Sequence, residues 1–420
     1  MVAVYILALI SALFSILSGI CCLYHFCIGV FGLKKNLPPE DKSEKINKFS
    51  ALICARNEEK VIANLIKSIK KQKYPVEVDV IVVADNCTDS TAEIAKNAGA
   101  RVFERYAPDK KTKGQALSWI IDKLLADESF DSDAIAFFDA DNVVEENYIA
   151  KMNARINCGE RMIQGYRDTK NPSDNWLSGA YAIYFLTVMR FCNNARTNLN
   201  MSAFLGGTGF TIKTDVLRQS GGWHTTEISE DIEYSIYRIA EGEKIVFAPE
   251  AKFFDEQPTK FIQSWHQRLR WSAGMWNTLR KCMPSYRNNK RCFDGFMYLM
   301  SVPSVFLGIA GWVFSTAAAL ISLKYIVPFV WWTVISILVS LIAMTVFALF
   351  VVILEKKDIK RNFKGIFGFP AFLVTFMAAS AWGVIHPVKR WVPVEHTDAK
   401  NIDEICGGKE DGENETQAGR

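Results

Sequence analysis

The chain has 420 residues, half of them hydrophobic, with 49 Lys and Arg against 45 Asp and Glu and a net charge of +4. That near-balance excludes a nucleic-acid binder, and the length exceeds one small domain. The apolar residues are segregated into runs, which leaves a membrane protein carrying one sizeable soluble domain.

In chain order, residues 2–33 come first and contain His25 as their one charged or basic side chain. The run is too long for the core of a cleaved signal peptide, no basic residue precedes it, and Cys21, Cys22 and Cys27 stand where small residues belong, so an anchor helix is expected. Lys34 and Lys35 follow at once and place the next region in the cytoplasm by the positive-inside rule. The ten cysteines lack CxxC or Cys/His ligand spacing, a pattern that fits apolar packing in a reducing compartment rather than disulfides or zinc.

The soluble region alternates strands with helices. "FSALICA" is a buried strand, and Val61, Ile62, Leu65, Ile66 and Ile69 then recur at helical spacing. "VDVIVVAD", "RVFER" and "AIAFFDAD" are further strands; "STAEIAKNAGA", closed by Gly99, and "GQALSWIIDKLLA" are the helices between them. This is the pattern of a doubly wound α/β sheet, whose ligands sit beyond the carboxyl ends of the strands, where "ARNEE", "ADNCTDS" and "DADN" fall. Neither GxGxxG nor a Walker loop is present, so a bound nucleotide needs another hold on its diphosphate, and a carboxylate-held divalent cation is the evident substitute. Asp139 and Asp141 flank Ala140 at a strand end, and strand alternation is expected to send both carboxylates to one side. In "ISEDIEYSIYR", Ser229 is the expected N-cap of a helix that ends before Gly242, leaving Glu230 and Asp231 in its first turn.

Residues 260–281, if helical, carry Phe261, Trp265, Leu269, Trp276 and Leu279 on one face and Gln267, Arg270, Trp271 and Gly274 on the other, which suits a helix lying along a membrane interface. Apolar residues 302–354 are interrupted only around Lys324 and Pro328, and the basic stretch 355–364 makes them an out-and-back hairpin. Residues 366–388 either cross or dip and return, since Gly365, Gly368, Pro370 and Gly383 permit a broken element. The basic "HPVKRW" follows, and the tail from Cys406 on is acidic and expected to be disordered.

The ordered series "ARNEE", "VVADNCTDST", "FFDADN", "GGTGFTIKTDVLRQSGGW", "ISEDIEYSIYR" and "QRLRW" resembles the family 2 inverting glycosyltransferases, in particular the membrane-embedded branch of cellulose, hyaluronan and poly-N-acetylglucosamine synthases. The resemblance covers residues 49–271. It implies a GT-A-like, Rossmann-type nucleotide-sugar domain at 45–258, with a transmembrane helix at 1–33, interfacial helices at 259–300, about three membrane segments at 301–388 and a cytoplasmic tail at 389–420. It also implies that Glu58 and Asp85 hold the nucleoside and that Asp139 and Asp141 serve the ribose and a diphosphate-bound Mg²⁺ or Mn²⁺. Lys113 matches a position near the phosphates, and a solvated helix-start lysine is the other reading. Asp231 matches the general base, Glu230 lies beside it, and Gly207 and Thr208 lie in the acceptor-side loop. Gln267, Arg270 and Trp271 match a chain-extending signature in which the arginine meets the diphosphate and the tryptophan stacks under the acceptor sugar.

The function implied is transfer of N-acetylglucosamine or glucose from a UDP-sugar to a growing β-linked polysaccharide, by a multi-pass cell-membrane enzyme with a cytoplasmic catalytic domain. Transfer to a lipid such as diacylglycerol or a polyprenyl phosphate is the alternative. The modest number of membrane segments favours it, because a secretion channel needs further helices, a partner subunit or an oligomer. His224 lies near the acceptor motifs in a stretch that also suits a surface turn.

Overall fold

The computed structural model describes residues 2–38, 43–109, 112–322, 326–386, 396 and 398–407. The expected turn at Lys324, the basic residues 387–391 and the acidic tail beyond 407 lie outside these. The chain divides into two compact units: residues 34–171, 193–257 and 393–420 form the sheet-bearing unit, and residues 1–33, 172–192 and 258–392 form the helical one. Residues 172–192 thus group with the apolar helices, although the sequence places them inside the soluble domain.

In the sheet-bearing unit the strands are β1 (Phe49–Ala55), β2 (Asp79–Asp85), β3 (Arg101–Arg105), β4 (Ala134–Asp139), β5 (Val143–Val144), β6 (Met162–Thr169), β7 (Phe210–Lys213) and β8 (Ile245–Asp255). They lie in the order β3-β2-β1-β4-β7-β6-β8-β5. The first four pair in parallel, as the strand and helix alternation demands. Beyond β4 the sheet is mixed: β7 runs antiparallel to both β4 and β6, and β5 is antiparallel to β8. The helix Ile62–Lys70 buries Leu65, Ile66 and Ile69 in the cluster that holds Ala51, Ile53, Val80 and Val82, so its 3.6-residue stripe meets a parallel sheet face. The helix Lys113–Ala126 starts at a capping box in which the Thr112 hydroxyl accepts from the Gln115 N–H and the Gln115 side chain accepts from the Thr112 N–H.

At the helix Glu230–Glu241, Ser229 stands at the expected N-cap but its side chain makes no capping hydrogen bond. The Glu233 carboxylate organises the preceding loop instead, with Oε2 accepting from the N–H groups of Thr226 (2.9 Å) and Glu227 (2.8 Å). The other end follows expectation, at Gly242 with φ of +102°.

Among the described residues, the helical unit holds four helices long and apolar enough to cross a membrane: Val2–Leu33, Ser301–Ser322, Ile326–Leu354 and Ile359–Ile385. The first packs on the second through small residues, with the Ser11 hydroxyl donating to the Gly311 carbonyl (2.8 Å) and the Ser18 hydroxyl to the Ser304 carbonyl (2.9 Å). The Ile359–Ile385 segment is one continuous helix through Pro370, so the broken element that its glycines permit does not form. Those glycines serve close packing. A Cβ on Gly365 would lie 2.4 Å from the Gly179 carbonyl carbon, and one on Gly368 2.9 Å from the Trp176 ring. The helix Phe261–Asn288 forms as expected, but Leu269 and Leu279 are buried in protein while Phe261 stays exposed. Its buried face carries Ser272, which hydrogen-bonds Ser380 (2.9 Å), and Arg268, whose Nη1 donates to the Phe372 carbonyl (3.1 Å) and Thr375 Oγ1 (2.7 Å).

Gly209, just before β7, tests the sheet packing most sharply. Its φ is +61° and an added Cβ would sit 1.9 Å from the Phe253 ring. Its N–H donates to the Phe137 carbonyl and its carbonyl accepts from the Gly165 N–H, both at 2.8 Å, so the backbone cannot yield. Gly209→Ala is expected to destabilise the unit by about 3 kcal/mol, measured as a lowered thermal unfolding midpoint; an unchanged midpoint would contradict this packing.

Candidate active site

The site is built at the carboxyl ends of β1, β2 and β4, and its parts converge on Lys113. The ammonium of Lys113, in the first turn of its helix, pairs with the Asp139 carboxylate at the end of β4 and donates to the Gly207 carbonyl at 2.6 Å. Gly207 has φ of +79°, and an added Cβ there would lie 3.3 Å from Asp231 Oδ2, so the loop brings bare backbone against that carboxylate. A Cβ on Gly114 would lie 2.6 Å from the Thr225 hydroxyl and 3.0 Å from Glu230 Cβ. The first turn of the Lys113 helix therefore packs directly on the start of the helix that bears Glu230 and Asp231.

The 206–209 loop is fixed from several sides. Gln164 Oε1 accepts from the Gly206 N–H (2.8 Å), and Gln164 Nε2 donates to the carbonyls of Thr208 and Gly209 (both 3.1 Å). The Thr208 hydroxyl accepts from the Asp139 N–H (2.8 Å) and bonds Asn142. The sequence places Gly207 and Thr208 on the acceptor side; here the first holds Lys113 and abuts Asp231, while the second clamps the backbone of Asp139.

Asp139 and Asp141 do not share one strand face, because β4 ends at Asp139 and the alternation stops there. Asp141 is buried; its Oδ1 accepts from Asn142 Nδ2 and its Oδ2 from the Glu256 N–H, both at 3.2 Å. Burial works against its ionisation, but the cations of His396, Lys170 and Arg167 outweigh this and hold the carboxyl below the usual range. Glu58, after β1, bonds the His396 imidazole, with Nδ1 3.0 and 3.1 Å from the two carboxylate oxygens. Burial lowers the imidazole's affinity for its proton, but Asp141 and Glu58 on either side push it up to about 10. Burial also raises Glu58, offset by His396. Both partners are thus raised, and we place the shared proton on the imidazole, which has two carboxylates facing it.

Asp85, at the end of β2, is buried under two guanidiniums: Arg56 and Arg105 each pair with its carboxylate, and Asn86 Nδ2 donates to Oδ1 at 2.9 Å. Glu230 and Asp231 are both raised. Burial is the main cause at Glu230, with the Asp231 charge adding to it and Lys113 opposing, and the carboxyl reaches about 8. Burial likewise raises Asp231 against the opposing Ile232 N–H and Lys113. The helix start, which by itself lowers a carboxyl's pKa, is thus outweighed by desolvation.

The structure therefore brings Lys113, Asp139, Gly207, Thr208, Glu230 and Asp231 together, with Glu58 and Asp141 joined through His396. Gln267, Arg270 and Trp271 belong to the helical unit. There Trp271 lies near-parallel to Tyr184 (ring centroids 6.3 Å apart) and edge-on to Tyr181 and Phe185. His224 lies in an exposed turn, its Nε2 2.7 Å from the Gly221 carbonyl. Sequence reasoning missed Arg56, Arg105, Arg167, Lys170, Asp255 and His396. Arg167 donates to Asp255 Oδ2 (2.6 Å) and to the Gly206 carbonyl (3.4 Å), so a buried ion pair stands behind the loop. Arg56 stands in "ARNEE" but was given no role, and no local pattern marks the other cations; only the number of acids converging here demands them.

The glycosyltransferase-like family 2 model matches residues 47–274, more than half of the chain. The chain belongs to glycosyltransferase family 2. It is 25% identical to the probable glycosyltransferase YdaM of Bacillus subtilis over 89% of this chain and 91% of that protein. It is 27% identical to a beta-monoglucosyldiacylglycerol synthase of Nostoc, over 60% of this chain but only 55% of that synthase. Its fold matches a Pyrobaculum calidifontis mannosyltransferase, solved with GDP-Man and Mn²⁺, at a TM-score of 0.60 and 15% identity over 90% of this chain and 99% of that one. The fold is thus GT-A-like, and the chain is a glycosyltransferase using a nucleotide-sugar.

Glu230 carries a testable electrostatic cost. Its folded pKa of about 8 exceeds the ordinary 4.5, so its contribution favours folding below about 4.5 and is lost as pH rises through about 8. Glu230→Gln removes that loss. Its unfolding midpoint is expected to pull ahead of the wild type's as pH is raised across this window; parallel curves would contradict the buried, elevated carboxyl.

Proposed function

We propose that the protein is a metal-assisted, inverting glycosyltransferase that moves N-acetylglucosamine or glucose from a UDP-sugar to an acceptor hydroxyl at a membrane, extending a β-linked polysaccharide. The observation that carries this reading is the convergence of Lys113, Asp139, Gly207, Glu230 and Asp231, one cation among carboxylates against a bare backbone loop.

The donor set fits a divalent cation held largely by substrate. Among the described residues no three His, Cys, Asp or Glu side chains form a ready metal cage, and Mg²⁺ bound with nucleotides typically takes only one or two carboxylates, the phosphates supplying the rest. Asp141, buried and held ionised, and Asp139 are the residues that would hold it. Bound there, the cation supplies positive charge to the departing nucleoside diphosphate. Lys113 holds Asp139 and the 207 carbonyl in place and adds a second positive charge on that side. Glu58 and Asp85 serve the nucleoside end, Asp85 as the acceptor that orders Arg56 and Arg105.

Asp231 is the general base. As the acceptor oxygen bonds to the anomeric carbon, the bond to UDP breaks on the opposite face and the hydroxyl proton passes to Asp231, inverting the configuration. Its raised pKa suits the task, since a carboxylate kept from water takes a proton more readily. Gly207 and Glu230 border the acceptor oxygen, while Gln267, Arg270 and Trp271 are assigned to the acceptor and leaving group on the family resemblance. The basic residues Lys34 and Lys35 and the basic stretch 355–364 support a multi-pass enzyme with its catalytic unit in the cytoplasm.

A lipid acceptor is the second reading, favoured by the match to a beta-monoglucosyldiacylglycerol synthase. Purified protein incubated with UDP-sugars and Mg²⁺ or Mn²⁺ is expected to release UDP, and Asp231→Asn to slow release by about 10²–10⁴-fold; equal release by both would remove the catalytic assignment. Product sizing then separates the readings: a ladder or high polymer supports chain extension, and a single glycolipid supports the lipid acceptor.

A further inference from the structure

Residues 258–293, all in the helical unit, carry eight Lys and Arg and no acid, and five of the eight fall at 280–291. The helix Phe261–Asn288 leads into this basic end, and the chain then turns back, so that Phe296 meets Tyr286 edge-on with ring centroids 5.6 Å apart. Asp294, the first acid after the stretch, is engaged by the N-terminal helix: its Oδ1 accepts from the Tyr24 hydroxyl (3.0 Å). Phe293 packs edge-on to the Tyr24 ring (5.9 Å), and His25 Nε2 lies 3.0 Å from the Met297 carbonyl.

These contacts fix the depth of the basic end in a bilayer. The bonds of Ser11 to Gly311 and of Ser18 to Ser304 set the helices Val2–Leu33 and Ser301–Ser322 antiparallel, with Ser301 level with Cys21. The 22 residues of the second helix span about 33 Å, close to the roughly 30 Å of a hydrocarbon core, whereas the 32 of the first span about 48 Å. The excess lies beyond Cys21, so Tyr24, His25 and the segment packed on them stand at headgroup depth. Exposed there are Arg280, Lys281 and Arg291, together with two large apolar side chains, Met283 at 45% and Phe293 at 54%.

We propose that residues 280–293 form a headgroup site for anionic glycerophospholipids, in which Arg280, Lys281 and Arg291 meet the lipid phosphates and Met283 and Phe293 enter the acyl layer beside them. The site is independent of the reaction proposed above. Basic side chains beside an apolar span are drawn to an anionic leaflet, each adding its own attraction, and exposed apolar groups at the same level are relieved of water by the acyl chains. The apolar pair favours a lipid surface over a soluble polyanion, which would leave Met283 and Phe293 in water. The other basic stretch, 355–364, is a weaker candidate because Glu355 and Asp358 offset part of its charge.

The test reconstitutes the full-length protein in phosphatidylcholine bilayers with trace spin-labelled phosphatidylglycerol or phosphatidylcholine, and electron paramagnetic resonance reads the motionally restricted fraction of each. Wild type is expected to prefer phosphatidylglycerol at least about threefold, and the preference to shrink in about 0.5 M NaCl, where charges are screened within a few Å. Replacing the site cations together, Arg280→Gln with Lys281→Gln and Arg291→Gln, is expected to bring the two lipids near parity. Arg291→Gln alone, which leaves the helix Phe261–Asn288 untouched, is expected to fall between. The control Lys356→Gln with Lys360→Gln and Arg361→Gln keeps most of the preference, and unfolding midpoints control for folding. No preference in wild type overturns the proposal, as does a preference that the 280, 281 and 291 replacements leave intact. Equal loss in the control variant also overturns it, in favour of a response to net charge alone.

Discussion

The pairing of Lys113 with Asp139 and the Gly207 carbonyl is the contact on which the catalytic unit depends. Three elements distant in sequence meet there: a helix start, a strand end and a glycine loop. The strand end and the loop bring negative charge or partial negative charge, with Glu230 and Asp231 close behind, and such a group of acids out of water repels itself unless a cation, here Lys113, sits within it. The same constraint recurs around the site: Arg56 and Arg105 on Asp85, Arg167 on Asp255, and His396 between Glu58 and Asp141.

That distribution of charge also sets the division of labour. Asp141 is held ionised, as the cation ligand we propose it to be must be, while Glu230 and Asp231 are raised by burial, which suits the proton transfer proposed for Asp231. Position in the fold decides this, since all three are acids near an element's end. Asp141 lies among His396, Lys170 and Arg167, whereas Glu230 and Asp231 lie beside each other and share Lys113 as their counter-charge.

The parallel half of the sheet was legible in the sequence because hydrophobic period and helix boundaries agree in each segment from Phe49 to Asp139, and the acid clusters fall where such a sheet puts ligands. The antiparallel strands of the mixed half, β7 and β5, were not, because β7 is only four residues and β5 only two, too short to show a period. The helix Trp176–Thr187 was hidden for the opposite reason: it is apolar on nearly every side, so it has no amphipathic stripe to betray it. Gly365 and Gly368 suggested a break, but a glycine that admits a neighbouring backbone and one that ends a helix look alike in sequence. Of the site, the acids were legible as motifs. Their cations were not, since Arg105, Lys170 and His396 stand in no motif and only the folded chain brings them in.

The central question is whether these acids serve one nucleotide with its metal. A crystal or cryo-EM structure with Mn²⁺ and UDP, with manganese located by its anomalous signal where crystals permit, measures this directly. The expected result is one Mn²⁺ at about 2.1 Å from an Asp141 oxygen, with the UDP diphosphate on its far side and Lys113 still on Asp139. Manganese and UDP bound away from Asp139 and Asp141 would contradict it.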